Sequence, residues 1–146
     1  MQELNDSKVI YAFAPNLEPA LTVSSGETVR IRTKDCFGNQ IQTADDVLDE
    51  IDWDRINPAT GPIYVEGAVA GGALKVSIDR IELDPQTASC TGAGEGVCGD
   101  YFDAWSTKLC SIDGNDLVWN DSIRIPLAPM IGVIGVAPAC EPVNCG

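Results

Sequence analysis

Histidine is missing from all 146 residues of the chain. That gap removes the imidazole on which Ser-His-Asp and Cys-His nucleophile systems depend, and with it a principal zinc-finger ligand. Any catalysis must come from carboxylates, amides and backbone groups, or from histidines supplied elsewhere. Basic residues are also scarce: nine Lys and Arg stand against 22 Asp and Glu, a net charge of -13. Such a surface is repelled by phosphate backbones and anionic lipid, so neither nucleic acid nor a membrane is an expected partner. A neutral or cationic small substrate suits it better. No apolar run is long enough to span a bilayer. The opening MQELNDSKVIYAF has no basic segment followed by an apolar stretch, so no signal peptide is read and a cytoplasmic location is expected.

The chain has six cysteines, none in a C-x-x-C pair. In a reducing compartment thiols are the expectation, with a Cys90–Cys98 disulfide closing a Gly-rich loop as the alternative. At this length one domain with a real core is expected.

Most of the sequence reads as β. Lys8–Phe13 and Ala20–Ser24 are short β-rich runs around a Pro-Asn turn. After the Ser25-Gly26 turn, Val29, Ile31 and Thr33 alternate with Arg30 and Arg32, the period of a half-buried strand. Gly71-Gly72 introduces a second such pattern, with Leu74, Val76 and Ile78 expected inward against Lys75, Ser77 and Asp79. Thr107–Ile112, Leu117–Trp119 and Ser122–Ile125 follow, the first two joined by an Asp113-Gly114 hairpin signal. One stretch breaks the period. In TADDVLDEIDW, Thr43 is placed to cap, Asp45 and Asp46 sit in a first turn, and Val47, Leu48 and Ile51 share a face, which predicts a short helix ending near Trp53. The expected fold is mostly β, a β-sandwich or jelly-roll-like body with one short helix.

Three stretches look like chemistry. GEGVCG (Gly94–Gly99) matches the G-x-G-x-x-G spacing, but Asp84-Pro85-Gln86 breaks the approaching strand and Glu95 would face the phosphates, so a surface loop is expected. GPIYVEGA (Gly61–Ala68) places Glu66 among Ile63, Val65, Ala68 and Val69. Partial burial there would disfavour the charged form and suit proton transfer near neutrality; the alternative is a solvated or salt-bridged carboxylate. KDCFGNQI (Lys34–Ile41) ends a strand in a turn projecting Asn39 and Gln40, and the Gln40 amide could orient a substrate or cap backbone groups.

Taken in order, ALTVSSGETVRIRTKDCFGNQI, DWDRINPATGPIYVEGAVAGGALKVSIDRIEL and SIRIPLAPMIGVIGVAPA resemble the acetamidase/formamidase family. The resemblance runs from about Val9 to Gly146 and is weakest across a Gly- and Cys-rich loop at about 86–108. It implies hydrolysis of short aliphatic amides to carboxylate and ammonia, a β-rich sandwich and a homo-oligomer. For that chemistry this chain offers Glu66, as proton shuttle or metal ligand, Gln40, to orient the substrate, and Asp35 as catalytic candidates, with Tyr64 and Asn39 near the substrate; Trp53 is expected at the pocket or, by preference, in the core. The family's His-Gly-Gly-Asn and Gly-Asp-Gly-Glu segments have no counterpart here. The resemblance is therefore to an N-terminal half (1–146). A divalent metal, zinc or calcium, is implied with its main ligands outside this chain. The apolar run Ile131–Ala137 reads as a strand expecting neighbours and cover, which a C-terminal half, in the same or a separate chain, would provide. A non-catalytic β-sandwich fragment or assembly subunit is the alternative.

Overall fold

Short strands of β-branched and apolar residues pair in small groups throughout the computed structural model, which describes residues 1–146. The chain clusters into two units. The first comprises Met1–Asn39, Trp53–Ile78 and Ile131–Gly146, the second Gln40–Asp52 and Asp79–Met130. No helix is long and apolar enough to cross a membrane.

The first unit is held by four strand pairs. β1 (Gln2–Leu4) lies parallel to β5 (Val29–Ile31), and β4 (Leu21–Ser24) lies parallel to β7 (Ile63–Glu66). β2 (Val9–Ile10) runs antiparallel to β6 (Ala59–Thr60), and β3 (Ala12–Phe13) antiparallel to β12 (Val143–Asn144). The expected Lys8–Phe13 strand is thus two strands broken at Tyr11, because each half finds a different partner. The chain end is tied to the same place. The Cys145 amide donates to the Tyr11 carbonyl at 3.0 Å, and its thiol lies 3.7 Å from the Ile10 carbonyl. Partial burial pushes that thiol's pKa up, against a smaller opposing effect of the Ala59 backbone.

The second unit carries an antiparallel sheet in the order β11 (Arg124–Pro126), β10 (Asp116–Val118), β9 (Ser106–Asp113), β8 (Gln86–Thr91). The Asp113-Gly114 turn forms as expected: Asp113 pairs with Asp116, and Gly114 takes φ +60° at the first connecting position, where primed hairpin turns need glycine. Lys108 places its ammonium 5.2 Å from the Trp119 ring centre. β8 occupies the start of the segment expected to be loop, so the Gly-rich loop is confined to 92–105. All six cysteines are thiols, and no Cys90–Cys98 bond closes it. Instead the loop folds on itself: the Gly94 amide donates to Gly99 and the Glu95 amide to Gly92. The turn that follows, Gly99–Tyr101, is a three-residue 3₁₀ turn and not a phosphate-binding helix.

Two expectations fail for physical reasons. The helix over Thr43–Trp53 is a series of turns followed by a 3₁₀ turn at Trp53–Arg55. The Asp46 carbonyl that a helix would give to Glu50 accepts from the Thr107 hydroxyl at 2.6 Å, and Glu50 bonds Val47 instead. Like charges four apart, Asp45 with Asp49 and Asp46 with Glu50, further oppose a helix. Leu74–Ile78 forms no strand; Leu74, Val76 and Ile78 are each at least half exposed rather than inward. Ile131–Ala137, expected as a strand whose neighbours a C-terminal half would provide, has no ladder among these residues, and the Gly135 backbone is seated against the Phe13 ring.

The buried apolar set is small: Leu4, Val23, Ile41, Ala59 and Cys110. Trp53, expected at a pocket or in the core, is half exposed.

Gly92 and Trp105 close the neck of the 92–105 loop, and a Cβ on Gly92 would overlap the indole. Gly92→Ala is expected to displace that ring and cost about 1–3 kcal/mol. Tryptophan fluorescence and a urea unfolding curve read both effects.

Candidate functional site

The parallel register of β4 and β7 sets Leu21 against Ile63, Thr22 against Tyr64, Val23 against Val65 and Ser24 against Glu66. Side chains alternate along a strand, so Leu21, Val23, Ile63 and Val65 turn to the more buried side. Thr22, Ser24, Tyr64 and Glu66 share the exposed one. The result is a small face of three hydroxyls and one carboxylate. The Ser24 hydroxyl donates to Glu66 Oε2 at 2.8 Å, and the Ser24 amide donates to Glu27 Oε2 at 2.6 Å. Glu66 is thus held through Oε2. The partial burial expected for Glu66 is absent: its side chain is exposed on the strand's open face.

Ser24 is the residue that sequence reasoning missed. Its signal lay in two four-residue patterns, LTVS and IYVE, each alternating apolar with hydroxyl or acid. Matched in register, these two patterns place the hydroxyl beside the acid.

Asp35 and Asn39 brace one another. The Asn39 amide donates to Asp35 Oδ1 at 2.8 Å, and the Asp35 amide donates to Asn39 Oδ1 at 3.1 Å. Asn39 takes φ +61°, a conformation that asparagine tolerates better than most side chains. Both residues, with Tyr64 and Glu66, belong to the first unit.

Gln40 belongs to the second unit. Rather than projecting from a turn, its side chain bridges to the main chain of Asp52: Nε2 donates to the Asp52 carbonyl at 3.1 Å, and the Asp52 amide donates to Oε1 at 2.9 Å. Gln40 also lines an open dent of about 330 Å³ with Asp46, Val47, Glu50 and Ile51. Within it, Asp46 reaches back to accept from the amides of Gln42 and Thr43 at 2.8 and 2.7 Å. These backbone bonds, Gln42 first, hold the Asp46 carboxyl below its ordinary pKa.

No three or more His, Cys, Asp or Glu side chains converge to hold a metal ion. The residues present do not form by themselves the divalent-metal site that the sequence resemblance implies.

The profile of the acetamidase/formamidase family matches residues 2–144. A crystal structure of an acetamidase from Bacillus halodurans superposes with TM-score 0.92 at 42% identity, covering 97% of this chain and 48% of its own. That of a recombinant predicted acetamidase/formamidase from Thermoanaerobacter tengcongensis also gives 0.92, at 45% identity, covering 99% and 48%. A Schizosaccharomyces pombe relative is 28% identical over 140 residues, 87% of this chain and 33% of its own length. The chain therefore spans half or less of the length of these relatives.

Asp46 has a lowered folded-state pKa, so its hydrogen bonds stabilise the fold above the ordinary carboxyl range. That stability is lost as pH falls through the folded value. Carboxyl NMR is expected to find Asp46 titrating below a model aspartate. Asp46→Asn is expected to flatten the acid limb of the stability–pH curve; an unchanged limb would contradict the assignment.

Proposed function

The chain belongs to the acetamidase/formamidase family, and we propose that it is one part of an enzyme hydrolysing short linear amides, formamide and acetamide among them, to carboxylate and ammonia. The observation that carries the reading is the family match over residues 2–144. The intact hydroxyl and carboxylate face on β4 and β7 supports it.

Amide resonance must be overcome by an activated water, a polarised carbonyl and a protonated leaving amine. We assign the water to Glu66. Its Oε2 is fixed by Ser24, and its side chain stands exposed on the same strand face as Tyr64. From there the carboxylate takes a proton from the attacking water and returns it to the departing nitrogen. Tyr64 is assigned to the substrate, and the braced Asp35–Asn39 turn to its positioning. Gln40, clasped to Asp52, is assigned to holding its own loop. The principal ligands of a zinc or calcium ion are assigned to polypeptide outside these 146 residues, and no step is routed through the metal.

We further place the protein in the cytoplasm, where a reducing pool maintains thiols such as the six found here. We assign it a partner equivalent to the remaining half of its relatives, and a homo-oligomeric assembly. A second reading, a non-catalytic assembly subunit, is favoured by the absence of histidine.

Ammonia release from formamide and acetamide tests the choice, using the chain completed by that remaining half, with and without zinc or calcium. Turnover is expected from the completed enzyme. Glu66→Gln is expected to lower kcat by about 10²- to 10⁴-fold with little change in KM. Unchanged kinetics would remove Glu66 from the mechanism, and no ammonia under any condition would favour the subunit reading.

A further inference from the structure

Two stretches of apolar pattern in the first unit, Leu74–Ile78 and Ile131–Val136, pair with nothing. From Ala73 to Asp84 no residue makes a backbone–backbone hydrogen bond, and the same holds from Ala128 to Pro142. Neither 73–84 nor 130–137 contains a proline, so every main-chain donor needed for a ladder is present. Leu74, Val76 and Ile78 alternate with Lys75, Ser77 and Asp79, yet their side chains stand in solvent. Ile134 and Val136 are 62% and 68% exposed.

The area of the chain says how much is uncovered. It exposes 10510 Å² at 15.5 kDa, where a compact monomer of that mass exposes about 7,200 Å². Treating the two units as separate compact bodies of half the mass raises the expected figure only to about 8,700 Å². The excess is on the scale of one side of a large permanent interface. The matched crystal structures carry about as much polypeptide again as this chain spans.

We propose that Leu74–Ile78 and Ile131–Val136 are docking strands: each pairs its main chain with, and lays its apolar side chains against, the polypeptide equivalent to the remaining half of the family's length. This rests on the reading of the chain as one part of a larger enzyme, and it adds which surface receives the other part. Backbone pairing supplies the attachment, and in Leu74–Ile78 the alternating apolar side chains fix the register, since a slip of one residue would turn them to the wrong face. In the isolated chain these main-chain amides make no backbone hydrogen bonds, so pairing them disrupts nothing already formed.

The test is to co-express this chain with the part of the Bacillus halodurans acetamidase that it does not match, so that neither piece must fold alone. Amide hydrogen exchange is then measured on the complex and on the chain by itself. Exchange across 73–84 and 130–137 is expected to slow by at least about 100-fold in the complex, with β11 unchanged. Val76→Pro and Ile134→Pro break no hydrogen bond in the isolated chain, and each is expected to abolish the protection of its own segment. Leu74→Asp serves as a second variant that leaves the backbone intact and is expected to weaken capture of the partner at least tenfold. Failure to form a complex, or a complex without slowed exchange at these segments, would overturn the proposal. So would protection that grows with concentration of the chain alone, which would identify a second copy as the occupant. Ammonia release is read on the same sample: protection without turnover would sink the amidase reading while leaving the docking surface standing.

Discussion

The parallel pairing of β4 with β7 is the contact on which the candidate site depends. Strands joined across 42 residues meet in a register that sets Ser24 beside Glu66 and turns Val23 and Val65 to the other side. Because side chains alternate strictly, a slip of one residue would exchange the two faces. The surrounding bonds hold that register. The Ala20 amide donates to the Pro62 carbonyl at 2.8 Å, and Glu27 accepts from the Ser24 amide, so the pair is pinned at both ends. Parallel pairs are ordinarily covered on both faces. Here one face is open, and it is the face that carries the acid.

That openness runs through the first unit. Its strands form pairs rather than a broad sheet, and its apolar segments outnumber the partners available to cover them. Main-chain pairing therefore organises the chain more than a large interior does. The second unit is different in kind: a meander in which every strand pairs with its neighbour in sequence, joined by the 92–105 loop and two shorter connections. The first unit draws its strands from both ends of the chain, with β12 returning to β3, so its order depends on distant segments meeting.

Much of this was legible in the residues. Alternation at Val29–Ile31, the β-rich run at Ala20–Ser24, the Asp113-Gly114 turn, and the GPIYVEGA stretch led to the strands, the hairpin and the acid that the structure displays. What failed did so where local pattern and tertiary pairing disagree. Leu74–Ile78 has a strand's period, but a strand needs a neighbour to become one. The Thr43–Trp53 stretch has a helix's cap and face, but Thr107, 61 residues away from Asp46, takes the carbonyl that a helix requires. Glu66 was expected among apolar neighbours because those neighbours adjoin it in sequence; alternation points them to the opposite side. Gln40 was expected at the tip of a turn, and nothing local reveals that the Asp52 main chain lies within its reach.

The outer strand of the second unit carries one more consequence. β11 bonds inward to β10 through residues such as Leu127, whose amide donates to Asn115 at 2.8 Å, so Pro126 lies at an outward-facing position. A strand arriving there would meet a residue with no amide to offer, beside the guanidinium of Arg124. That margin is closed to extension, while the proline-free runs of the other unit stay open. A single ring thus discourages stray aggregation along β11.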